Sequence, residues 1–83
     1  MMSSSLEKVS ERLIEIRDQF EENEELVDAI VASDNAEDLF IAIGMAIAYS
    51  EDAITLDKKG EAHLKTSLEE LDKIIQELEE GEE

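Results

Sequence analysis

LFIAIGMAIAY, residues 39–49, is the stretch that decides the fold of this chain. Ala and Met favour a helix over a strand, and the sequence on either side of the run also has helical spacing. Because the run is apolar all round, we expect this helix to be buried on most of its sides. Its small residues, such as Gly44 and Ala46, would let another helix approach closely.

The ends of this helix are predicted from local signals. Asp34 can cap its N-terminus, with Glu37 three residues later completing a capping box. Lys58-Lys59-Gly60 predicts its C-terminus, with cations in the last turn and glycine at the left-handed stop. The segment AITLDKKG, residues 53–60, also resembles the A-[IV]-x-x-D-x-x-G helix end of microtubule-interacting and trafficking domains, which are three-helix modules. That resemblance implies the same helix end.

A narrower apolar seam precedes the central run and another follows it. The first seam predicts a helix that starts with a capping box at Ser4 and Glu7 and runs to about Ala32, roughly 40 Å. A break near Glu22-Asn23-Glu24 is the alternative, because adjacent carboxylates repel and Asn is a poor helix former. The first seam consists of Leu6, Val9, Leu13, Ile16, Phe20, Val27 and Ile30, and the second of Leu64, Leu68, Leu71, Ile75 and Leu78.

These elements predict one small all-α domain over residues 1–83, a three-helix bundle with a Ser-rich lead at 1–4 and an acidic tail at 79–83. Two helices cannot cover a central helix that is apolar on nearly every face, so we expect a homodimer to complete the bundle. The residues expected to mediate self-association are Leu39, Phe40, Ile43, Ile47 and Ile54.

Composition restricts the classes of function. There are 24 acidic and 7 basic residues, so the formal charge is −17, and this charge opposes direct contact with nucleic acid or an anionic membrane. No Cys is present, which excludes thiolate catalysis and Cys-ligated metals. Since no catalytic, metal-binding or cofactor-binding pattern is found and no targeting segment is evident, the sequence predicts a non-enzymatic cytoplasmic protein without metal or cofactor.

The placement of the acids is the strongest functional signal. Six of them follow helical steps of three and four and would form a carboxylate stripe roughly 27 Å long, opposite the first seam. No Lys or Arg occurs between Arg17 and Lys58, although that stretch holds twelve acids. The stripe consists of Glu7, Glu11, Glu15, Asp18, Glu22 and Glu25; Glu21, Glu24 and Asp28 flank it.

This pattern predicts an inhibitor that docks on the basic, nucleic-acid-binding surface of another protein by charge mimicry. Small acidic antagonists of this character occur in phages and mobile elements. The alternative is a structural or adaptor module that acts through helix–helix association, with the acids serving only solubility.

His63 supports a third, remote hypothesis. The segment AHLKTSL, residues 62–68, resembles the phosphoacceptor helix of histidine-containing phosphotransfer domains, in which H-x-L-K-G is typical. The residue between His and Leu is missing here, and Thr66 stands where the glycine would be. The resemblance implies phosphotransfer through His63.

Overall fold

The chain is described from a computed structural model that covers residues 3–81, with side chains from Leu6 onward. Within this range it forms α1 (Ser3–Asp18), a 3-10 turn (Gln19–Glu21), α2 (Glu24–Ala32), α3 (Ala36–Ser50) and α4 (Lys58–Glu80). The all-α prediction is confirmed, with four α-helices in the described range. α1 already includes Ser3, so Ser4 lies inside the helix rather than at its cap. Met1, Met2, Glu82 and Glu83, at the ends of the predicted lead and tail, lie outside the described residues.

The prediction of a continuous first helix to Ala32 is wrong, and the break near Asn23 is correct. The amide of Leu26 donates to the Asn23 side-chain oxygen at 3.2 Å, so Asn23 caps a new helix. The four carboxylates on either side of Asn23 repel one another in a continuous helix, whereas the cap satisfies a free backbone donor. The break also changes the register, because α2 buries Leu26 and Ile30 and leaves Val27 half-buried.

The predicted end of the central helix at Lys58-Lys59-Gly60 is also wrong. α3 ends at Ser50, where the amide of Ala53 donates to the Ala48 carbonyl and the amide of Asp52 donates to the Tyr49 carbonyl. This is the Schellman pattern, and Asp52 adopts the left-handed conformation that it needs (φ 62°).

Lys58 instead begins α4, and Asp57 caps it by accepting from the amide of Gly60 at 2.9 Å. The helix end implied by the resemblance of residues 53–60 is therefore a helix start. At the other end of α3, Asn35 occupies the predicted cap position of Asp34, without a side-chain capping bond.

The core lies around α3, which packs against α1, α2 and α4. Because the first helix breaks, α2 provides a third covering helix from the same chain, so the central helix needs less help from a second copy than its composition predicts. Burial of each large aliphatic side chain contributes about 1.5–3 kcal/mol. The largest fully buried side chains are Leu13, Ile16, Leu26, Ile30, Leu39, Leu64 and Leu71.

Candidate protein-binding surface

The first acidic surface follows the outer side of α1. Glu7, Glu11, Glu15 and Asp18 are all exposed and recur at steps of four, four and three, which places them on one face. At 1.5 Å per residue the row is about 16 Å long. We call it the α1 acidic face.

The predicted stripe does not continue in line beyond Asp18. Glu22 follows the 3-10 turn and Glu25 lies in the first turn of α2, so the helical register is lost between them. Both are exposed, as are Glu21, Glu24 and Asp28. The structure therefore divides the predicted acids into the α1 acidic face, an acidic turn and a second cluster on α2.

The second cluster lines a groove between α2 and the C-terminal end of α4. Its volume is about 810 Å³, and Glu25, Asp28 and Glu77 contribute carboxylates over an apolar floor of Ala29 and Leu78. We call it the α2–α4 groove. Sequence reasoning missed Glu77, because only the packing of α2 on α4 brings positions fifty residues apart together. In the sequence, Glu77 is distinguished only as one of several acids near the end of the last helix.

Little positive charge compensates these carboxylates. In the part of the chain that the structure describes, ion pairs form only at Arg12, which lies 3.4 Å from Glu15 and 3.2 Å from Asp72. Both pairs are exposed, so each contributes little to stability. The Asp18–Asp57 segment holds twelve acids and no Lys or Arg, and every one of those acids is exposed. An uncompensated negative surface attracts a basic partner over a distance of about one Debye length, roughly 8 Å at physiological salt.

The residues predicted for self-association are divided by the fold. Leu39 and Ile43 lie in the core of the protomer, while Phe40 is 37% and Ile54 38% exposed and Ile47 is half-buried. Phe40 packs edge-on against Phe20, with ring centroids 6.1 Å apart. Sequence reasoning missed Ile41, which is 50% exposed.

A shallow groove of about 440 Å³ lies between these aromatic rings and Gly44, at which an added Cβ would meet nothing within 4 Å. α3 therefore keeps an apolar side that the other described helices do not cover. Because Gly44 is open there, the backbone of another helix can approach closely.

The remaining sequence hypotheses concern metals, His63 and membranes. The described residues contain no group of three or more His, Asp or Glu side chains arranged to hold a metal ion. His63 is half-buried in the second turn of α4, and phosphotransfer through it stays a prediction. Within residues 3–81, no helix is both long enough and apolar enough to cross a bilayer.

Comparison of the chain with protein-family models, with curated proteins and with solved structures found no match.

Proposed function

We propose that this protein is a non-enzymatic binding protein that docks its acidic surface on a basic, nucleic-acid-binding surface of another protein. The observation that carries the proposal is the uncompensated charge of residues 18–57, a segment that holds twelve exposed acids and no Lys or Arg. A helix that needs acids only for solubility gains from Lys at i,i+4 spacing, and this segment forgoes that gain throughout.

The arrangement supports charge mimicry in particular. Carboxylates on the α1 acidic face rise about 6 Å for every four residues, so they present a regular row of negative charge on a rigid element. A nucleic-acid strand is also a regular row of negative charge, recognised by Lys and Arg side chains. The partner's basic channel would accept either row, and the protein would act as an antagonist of nucleic-acid binding.

The α2–α4 groove adds a second contact to the same proposal. Its carboxylates, from Glu25, Asp28 and Glu77, stand beside the apolar surface of Leu78 and Ala29. Lys and Arg side chains combine a charged head with an apolar stem, so a groove of this composition suits them.

The test is capture of partners from a lysate of the source cells on the immobilised full chain, with elution by a stepped salt gradient. The variant Glu11→Lys/Asp18→Lys/Glu22→Lys should lose the captured protein. Glu70→Lys/Glu79→Lys/Glu80→Lys changes the net charge by the same amount on α4 and is the matched control, which should retain it. Equal loss from both variants would show that only net charge matters and would contradict the proposal.

Self-association through α3 is the second candidate, and the exposed Phe40, Ile41 and Gly44 favour it. Here a homodimer or a helical partner would cover the open side of α3. The two candidates respond to salt in opposite ways. Salt screens the repulsion between two copies that each carry −17 and so strengthens a dimer, whereas it weakens binding to a basic protein.

Sedimentation equilibrium at two salt concentrations measures this directly. A dimer that tightens with salt and is lost in Phe40→Glu would support the second candidate. A monomer at both salt concentrations would eliminate the homodimer.

A further inference from the structure

A third surface feature is a pocket between the N-terminal half of α1 and the C-terminal end of α3. Its volume is about 270 Å³. The residues that line it are Glu7, Ser10, Glu11, Tyr49, Ser50 and Asp52. None of these described lining residues is basic. Three of them carry carboxylates, and Ser10 carries a buried hydroxyl, so all four can accept hydrogen bonds from a ligand.

Ser10 is the feature that points to a ligand. Ser10 is only 2% exposed, and its buried Oγ has no hydrogen-bond partner within the described part of the chain. Buried hydroxyls in folded proteins are nearly always paired, because an unpaired one loses its bonds to water without replacement. A donor entering the pocket would provide the missing bond after rotation of the Ser10 hydroxyl about its Cα–Cβ bond.

The carboxylates of the pocket are placed by two different elements. Glu7 and Glu11 are one turn apart on α1, so their Cβ atoms are about 5–6 Å apart. Asp52 approaches from the turn that follows α3, where the Schellman hydrogen bonds fix its backbone. Among the described side chains, none of these three carboxylates forms an ion pair, so their charge is available to a cation.

We propose that this pocket binds a guanidinium group, supplied by an arginine side chain of the basic partner. The inference deepens the proposed function and rests on it for the source of the arginine. A guanidinium carries five N–H donors in a planar fork, which suits carboxylates on two walls and a hydroxyl acceptor between them. The ring of Tyr49 gives the planar cation a face on which to stack. An ammonium group has only three donors and no plane, so lysine should bind less tightly.

The probe is Nα-acetyl-arginine amide, titrated into the full-length protein and followed by ¹H–¹⁵N NMR. Saturable shifts should concentrate at Ser10, Tyr49 and Asp52, and Nα-acetyl-lysine amide should bind more weakly. Glu11→Gln and Asp52→Asn should each raise Kd by about tenfold through loss of a charge-assisted hydrogen bond. Glu70→Gln, on α4, is the matched control and should leave Kd unchanged.

Ser10→Ala separates a binding role from a structural one. Removal of an unpaired buried hydroxyl should raise Tm, while the loss of its acceptor oxygen should weaken binding of the arginine amide. A lower Tm in Ser10→Ala would show that the hydroxyl is already paired and would overturn the inference. Equal binding of the lysine amide, or shifts at Glu15 and Asp18 as large as those at Ser10 and Asp52, would overturn it as well.

Failure of this inference is distinguishable from failure of the proposed function. Salt-sensitive capture of a basic protein that is unaffected by Glu11→Gln and Asp52→Asn would refute the guanidinium pocket alone. Saturable binding of the arginine amide without capture of any basic protein would refute the proposed function alone.

Discussion

The helix start at Asp57 gives the sharpest test of the fold, because it stands where the sequence predicts a helix end. Asp57→Ala removes the carboxylate that accepts from the Gly60 amide at 2.9 Å. Loss of an N-cap of this kind costs about 1 kcal/mol, within a range of roughly 0.5–2 kcal/mol. Asp57 is exposed, so water replaces part of the lost bond and the middle of that range applies.

The expected loss is measurable by thermal unfolding followed by circular dichroism at 222 nm. For a domain of this size, 1 kcal/mol lowers Tm by about 4–8 °C. Asp34→Ala is the matched control, because the same exposed residue type is removed next to a helix at which it makes no capping bond. It should change stability by no more than about 0.5 kcal/mol. A larger cost for Asp34→Ala than for Asp57→Ala would refute the assignment of the α4 start.

Three further predictions follow from the helix ends and the core. Asp52→Gly should stabilise the protein by about 0.5–1 kcal/mol, because glycine adopts the left-handed conformation at φ 62° without strain. Asp28→Gly inside α2 should instead destabilise it by about 0.3 kcal/mol, the difference in helix propensity between Asp and Gly, and chemical denaturation measures both. Asn23→Ala should cost about 1 kcal/mol through loss of the bond from the Leu26 amide, and an unchanged denaturation midpoint would contradict the capped break. Leu71→Ala should cost about 2–5 kcal/mol because the side chain is fully buried, and native-like near-UV circular dichroism with an unchanged Tm would contradict its place in the core.

The helical class of the fold could be predicted from the sequence because it depends on the spacing of apolar residues, which is helical in segment after segment of the chain. The apolar run at 39–49 has no strand-like alternation, and the seam that includes Leu64 and Leu71 keeps its helical spacing throughout. Both of these leucines are buried as that spacing predicts. Regular spacing is a repeated signal, so single exceptions do not hide it.

The helix ends could not be predicted equally well, because each depends on one or two competing local terms. Lys58 and Lys59 favour a helix C-terminus through the helix dipole, an effect of about 0.3–1 kcal/mol. The cap from Asp57 is at least as strong and favours a start at the same place. Glycine usually provides the left-handed stop, but in this chain Asp52 provides it, and nothing in the local sequence distinguishes Asp52 from other exposed acids.

The candidate surface was predictable in its composition but not in its shape. Every predicted acid is exposed, because a carboxylate is rarely buried without a partner. Their arrangement depended on the break at Asn23, which turns α2 out of line with α1. The contribution of Glu77 to the α2–α4 groove and the unpaired hydroxyl of Ser10 depend on tertiary packing, which no local pattern in the sequence encodes.

Competition with nucleic acid is the most direct test of the claim that the acidic surface imitates it. The protein captured on the wild-type chain is challenged with increasing concentrations of DNA or RNA at constant salt, and its release is measured. Charge mimicry predicts that nucleic acid displaces the captured protein and that raised salt lowers its affinity for the wild-type chain. Retention of the captured protein at saturating nucleic acid would show that the two bind different surfaces and would contradict the account.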